Sequence, residues 1–317
     1  MFRFIMPEKT ISAKERSFLL KTQMNDFLKQ EALAELFSLL HTNRERIGND
    51  YNGRAGAGGS VRETQVMEPS GALKPLQKQL YPLFAELGFF HINKPLAAEH
   101  SRLLILGGAL NVCFTRTQFA VQWLTPSTRS VDGLSCYRPI NPKERKMSAF
   151  CSSHETEFGV LADAFSSTFQ LSAGGFQDHF EGDRNLNRIS CVRKYAGQKK
   201  GCAFCVYAAP STQPELRRAD TGDTFSFYLK ESGIQAKPDA GCCDHQQESL
   251  LAITNNRYCN RQFLQLAYYL LENNLPLDLD VIGCIPDSEI VTAETYDPFQ
   301  YLQDLISILD WIGRFGL

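Results

Sequence analysis

The chain has 317 residues, 43% hydrophobic and 21% charged, enough to bury a substantial core in one large or two modest domains. Its 33 basic and 35 acidic residues leave a net charge of −2, so no overall field draws it to nucleic acid or to an anionic membrane, although a local basic pocket is compatible with this balance. No apolar run approaches the ~20 residues that cross a bilayer, and MFRFIMPEKTISAKER turns charged too early for a signal peptide, so a cytoplasmic protein is expected.

Taken in order, residues from about Ile11 to Leu40 read as helical. Phe18, Leu19, Phe27, Leu28, Leu33, Leu36, Phe37 and Leu40 fall near helical spacing, and Ser12 with Glu15 fits a capping box. Their apolar stripe is expected to cover one face of the later sheet. HTNRERIGNDYNGRAGAGGSVRET, residues 41 to 64, has almost no large apolar side chain and reads as a long loop. A solvated linker is its plainer reading; a cradle for an acidic ligand made by Arg54 and Arg62 is the alternative. A second helix is expected around Ala72 to Leu87. An α/β part, 95–317, then follows an N-terminal helical extension, 1–94.

The α/β part opens on the stretch that organises the rest, SRLLILGGALNVCFTRT. Arg102 to Leu106 is an apolar run of buried-strand type, Gly107-Gly108 ends it, and the pattern then turns helical. In an open α/β sheet such turns line the ligand crevice, and an opening helix presents backbone N–H groups to an anion. The glycines permit positive φ and a close approach of ligand to main chain. The same pair also suits an ordinary tight turn, and neither GxGxxG nor GxxxxGKS/T is present.

Further strands are expected at Val131 to Tyr137, Arg188 to Tyr195, Cys202 to Ala208, Ser249 to Thr254 and Leu277 to Cys284. Between them lie helices after Ser152 or Ser153 as N-cap, at Thr221 to Glu231 and at Arg261 to Glu272; a terminal helix spans Phe299 to Phe315. This alternation predicts a Rossmann-like, mainly parallel sheet with helices on both faces.

The ten cysteines are scattered, several inside apolar runs, and read as buried free thiols. Cys202-x-x-Cys205 lies in an expected strand, where i and i+3 point to opposite faces. A zinc set completed by Cys242, Cys243 and His245 is the alternative, but it lacks regular ligand spacing, and no metal is expected. His154, beside two glutamates, reads as a surface or capping residue.

Four motifs in this order resemble the YdcF/SanA/ElyC-like domain, a Rossmann-like family of poorly defined function. They are the glycine pair of LLILGGAL, the acid that opens a helix in SSHETEF, the segment RRADTGDT, and the strand-end turn ITNNRYCNRQF. The resemblance covers about residues 100 to 285. It implies one polar crevice, with Gly107 and Gly108 touching a ligand through main chain and Asn111 and Arg116 nearby. Glu155 or Glu157 would bind ribose hydroxyls or act as a general base. Arg218 and Arg257 would hold phosphate or carboxylate. Asp220, a candidate catalytic acid with Glu155 and Glu157, would join Thr221, Thr254, Asn255 and Tyr258 in the hydrogen-bonding set. Each of these residues also suits a cap or turn. The expected function is an enzyme of group transfer or hydrolysis on a nucleotide-like or phosphorylated small molecule. The alternatives are a non-catalytic sensor of such a ligand and a zinc-stabilised interaction protein.

Overall fold

The computed structural model describes residues 2, 12–51, 73–90, 94–172, 174–183, 187–196, 201–234, 248–275, 277–284 and 297–317. Arg54, Arg62, Cys242, Cys243 and His245 lie outside the described residues.

The N-terminal part folds as α1 (Ala13–Leu28), α2 (Glu31–Leu39), the short α3 (Ile47–Tyr51) and α4 (Gln77–Glu86). Ser12 and Glu15 form the expected capping box. The single helix expected over this region is broken at Lys29 and Gln30, where the backbone of Gln30 is extended. The α/β part contains β1 (Arg102–Leu106), α5 (Leu110–Ala120), β2 (Ser130–Ser135), α6 (Pro142–Met147) and α7 (Glu157–Phe169). It continues through β3 (Phe176–Glu181), β4 (Ser190–Tyr195), β5 (Ala203–Ala208) and α8 (Thr221–Glu231) to β6 (Ser249–Asn255), α9 (Cys259–Glu272), β7 (Asp278–Cys284) and α10 (Pro298–Arg314).

The strands form one seven-stranded sheet in the order β3-β4-β5-β2-β1-β6-β7. β5, β2, β1, β6 and β7 run parallel, while β3 and β4 add an antiparallel edge. Counting only the parallel strands along the chain, the order is third, second, first, fourth, fifth. The chain therefore reverses its direction of sheet growth between β1 and β6, and in sheets of this kind the carboxyl ends at that point open a crevice. This is an α/β protein whose topology is consistent with a Rossmann-like fold.

Alternate side chains of each strand enter two cores. Leu103, Ile105, Val131, Val206 and Ile253 pack with α5 and α7 on one face. Leu104, Leu106, Leu250, Ala252 and Leu279 pack with α8 and α9 on the other. Gly133 lets α7 press onto β2, because a Cβ there would lie 2.9 Å from both Leu161 and Phe165. The N-terminal helices, expected to cover one face of the sheet, place their apolar side chains in the core on one face, together with Leu104, Leu250 and Leu279 of the strands and with α9 and α10. Arg16 of α1 is fully buried and reaches the start of β7 through Asp278 at 2.9 Å and the carbonyl of Leu277. Among the described residues no helix is long and apolar enough to cross a membrane.

Candidate functional site

The carboxyl ends of β1, β2 and β6 open into a cavity of about 620 Å³ that continues along the faces of α9 and α10. Gly107, Gly108, Arg116, Glu157, Arg218, Asp220, Thr221, Asn255 and Tyr258 all line it. Thus residues spread over 150 positions of sequence meet at one sheet edge.

The glycine pair serves close packing rather than a left-handed turn. Neither residue has a positive φ, and a Cβ on Gly107 would sit 2.5 Å from Glu157 Oε1 and 2.7 Å from the carbonyl of Leu134. The Gly107 N–H donates to that carbonyl at 2.7 Å, which ties the end of β1 to β2. The free N–H groups expected at the start of α5 are partly taken. Glu144, from α6, accepts from the Leu110 N–H at 3.3 Å, so a carboxylate of the protein sits where an anionic ligand would meet this helix.

Glu144 is held there by Arg138. This buried guanidinium donates to Glu144 Oε1 at 2.7 Å, to Glu157 Oε2 at 2.9 Å and to the Gly108 carbonyl at 2.9 Å. Burial alone would lower its pKa, but Glu157 and Glu144 more than offset that and raise it. Glu157 Oε2 also faces Arg218 at 3.9 Å, whereas its Oε1 accepts no hydrogen bond among the described residues. The acid that the sequence placed at this edge is therefore Glu157. Glu155 is exposed and off the cavity; it precedes the helix, and its carbonyl accepts from Ile140 N–H at 2.7 Å. The N-cap of α7 is Thr156 rather than Ser152 or Ser153, which sets Glu157, not Glu155, in the buried first turn.

Across the switch point, Arg116 is 2% exposed. Its Nε donates to Asn255 Oδ1 at 2.9 Å, and its Nη1 donates to the carbonyls of Leu106 and Gly107, joining the ends of β1 and β6. Four arginines are buried among the described residues, and Arg16, Arg138 and Arg257 each pair with a carboxylate. Arg116 has no carboxylate within 4.0 Å among the described residues; its side chain also meets the buried Cys284 thiol. A buried guanidinium is always charged, and leaving it without an anion is costly.

Other expected site residues have structural duties or lie elsewhere. Asp220 caps α8 in a reciprocal box with Asp223, although it also lines the cavity. Thr254 is wholly buried within β6, because its side chain points into the sheet core rather than past the strand end. Arg257 is buried against Asp304 at 3.3 Å and does not reach the cavity. Asn111 likewise lies off it, accepting from Ser148. Arg261 takes the place expected of Arg257: it lines the cavity, pairs with Asp304 at 3.0 Å and stacks over Tyr258 at 4.6 Å.

Among the described residues no cysteine supplies an activated thiol at this site. Cys136 lines the cavity, but burial, reinforced by the nearby Glu157 charge, pushes its pKa up to about 11. Cys202 and Cys205 belong to opposite faces of the sheet, so they do not present two sulfurs to one ion. His154 is exposed beside Asp163 at 3.3 Å.

The fold and the cavity together define an α/β protein with a basic, partly apolar crevice at the switch point of a mainly parallel sheet. Comparison with protein-family models, with curated proteins and with solved structures finds no match to this chain.

Proposed function

We propose that this protein binds a nucleotide-like or phosphorylated small molecule at the switch-point cavity and acts on it by group transfer or hydrolysis. The observation that carries this reading is Arg116, a buried guanidinium lining the cavity with no carboxylate partner among the described residues. An anionic group brought by a ligand offsets the cost of burying that charge. Arg218, about one-third exposed at the same cavity, supplies a second guanidinium suited to phosphate oxygens. Phosphoryl transfer asks little covalent chemistry of a protein, and positioned cations provide most of the stabilisation. Glu157 Oε1, which lacks a protein donor among the described residues, is available to a ligand hydroxyl or to an attacking water. The likeness to the YdcF/SanA/ElyC-like domain belongs to this reading, since Gly107, Gly108, Glu157, Arg218 and Asn255 of its motifs line the cavity.

A second reading, a sensor that binds such a ligand without turnover, is favoured by the commitments of the acids. Glu157 Oε2 is bound to Arg138, Asp220 is a helix cap, and no histidine lines the cavity among the described residues. Native mass spectrometry of the purified protein tests the binding claim: a co-purifying phosphorylated molecule is expected, and its loss in Arg218→Ala with an unchanged melting temperature. Incubation of that molecule with the protein then separates the readings, because conversion supports the enzyme and quantitative recovery supports the sensor. No anionic molecule bound, by mass spectrometry or by titration with nucleotides, would defeat both.

A further inference from the structure

The cavity has a second chemistry beyond its anion-binding end. α9 turns Arg261, Gln262 and Gln265 toward it, and α10 contributes Ile306, Trp311 and Arg314. Gln262 and Gln265 are 4% and 8% exposed, yet the carbonyl oxygen of each is buried without a hydrogen-bond partner. Gln262 makes one long contact, from Nε2 to Thr221 Oγ1 at 3.5 Å, and Gln265 makes no side-chain hydrogen bond among the described residues. Residues three apart on a helix share a face, so the two amides form one short polar strip, opposite a stretch of α10 that mixes Ile306 and Trp311 with Ser307, Asp310 and Arg314. Buried amides left unpaired are expensive, and two together point to an absent partner rather than to a packing accident.

The missing partner must donate hydrogen bonds, because the orphaned atoms are acceptors. Arg261, paired with Asp304, lines the same stretch with Arg314 and Asp310, so charges of both signs are already supplied by the protein, and the neutral amide oxygens suit a neutral amine. Primary amides pair edge to edge with planar heterocycles that carry an amino group beside a ring nitrogen, as glutamine does with adenine. Resting on the reading of Arg116 and Arg218 as the anion site, we propose that Gln262 and Gln265 recognise the exocyclic amine of a nucleobase, so that the ligand is an amino-bearing nucleotide of the adenine type.

Calorimetric titration of adenosine 5′-monophosphate and of purine riboside 5′-monophosphate, which differ only in the amine, tests this directly. With inorganic phosphate as competitor, the wild type is expected to bind the amine-bearing nucleotide about tenfold or more tightly, and phosphate to displace both. Gln265→Leu is expected to bring the two affinities together without weakening phosphate binding, and to keep or slightly raise the melting temperature of the free protein. Equal affinities in the wild type, with phosphate still competing, would overturn the amide assignment while leaving the anion site intact. Absence of binding by both nucleotides and by phosphate would overturn the anion site, and this proposal with it. A marked loss of stability in Gln265→Leu would show that the amide serves the fold, against the proposal.

Discussion

The two sides of the crevice treat a buried arginine in opposite ways. Between β1 and β2, Arg138 is held by two carboxylates, Glu144 and Glu157, and its cation is neutralised within the protein. Between β1 and β6, Arg116 meets carbonyls, an asparagine and the Cys284 thiol but no carboxylate among the described residues. The first arrangement is a strut that fixes the loop after β2 and the start of α7. The second leaves a charge for something else to answer, and it faces the cavity. The difference teaches where structure ends and binding begins: a satisfied charge specifies geometry, and an unsatisfied one specifies a ligand.

Breaking the closed side should have the largest effect. Arg138→Ala takes the shared cation from Glu144 and Glu157, leaving Glu144 the Leu110 N–H and Glu157 only the more distant Arg218, and is expected to cost about 3 kcal/mol in urea unfolding. Replacing Arg138, Glu144 and Glu157 together by apolar residues of similar volume should recover much of that loss. If the single variant unfolds within about 1 kcal/mol of wild type, the strut is not one.

A third buried charge sharpens the contrast because it has hydrogen bonds and no cation within 4.0 Å among the described residues, Arg102 acting on it from farther away. Asp132, on β2, accepts from Ser130 Oγ at 2.7 Å and Tyr228 Oη at 3.1 Å, and burial pushes its pKa from the ordinary 3.8 up to about 6. The folded state therefore holds this proton more tightly than the unfolded chain. Its contribution is greatest below pH 3.8 and is lost as pH rises to about 6. Asp132→Asn removes that dependence and should gain on the order of 2–3 kcal/mol relative to wild type at pH 7 compared with pH 3.5. Parallel stability profiles for the two proteins between those pH values would contradict it.

On the open side the effects should fall on binding instead. Arg218→Ala is expected to weaken a phosphorylated ligand by roughly tenfold to a hundredfold, measured by titration, while leaving the melting temperature almost unchanged. A smaller effect is expected from Gly107→Ala, because its new methyl must displace Glu157 Oε1, the end of a side chain, as well as press on the Leu134 carbonyl. It should cost about 1–3 kcal/mol in stability and reduce affinity less than the loss of Arg218.

Much of the fold was legible because its strands are apolar runs closed by glycine, asparagine or proline. Arg102–Leu106 and Thr221–Glu231 are found where expected. The strand Phe176–Glu181 was missed, since FQDHFE lies at an exposed edge and buries too little to show a pattern. Nor does sequence alone reveal that β4 runs antiparallel, because pairing direction is set by non-local contacts.

The site was legible where strands end and obscure where helices contribute. Arg138 sat in a loop read only as a connector, and its partners Glu144 and Glu157 lie 6 and 19 residues away. Arg261, Gln262 and Gln265 belong to a helix expected at Arg261 to Glu272 but were not singled out, and the packing of α10 against α9 makes this face interior. Their signal was available in one respect: with Tyr258 they repeat at positions i, i+3, i+4 and i+7, opposite Phe263 and Leu270. Arg257 and Thr254 were misplaced for a simpler reason: a side chain next to a strand end can point into the core as readily as into the crevice.

The central claim is that the Arg116 charge is answered by a bound anion, and thermal unfolding of wild type and Arg116→Met across a series of inorganic phosphate and adenosine 5′-monophosphate concentrations tests it most directly. Ligand that binds only the folded state raises the melting temperature with concentration. The wild type should therefore climb while the variant stays flat, and equal climbs, or two flat lines, would contradict the account.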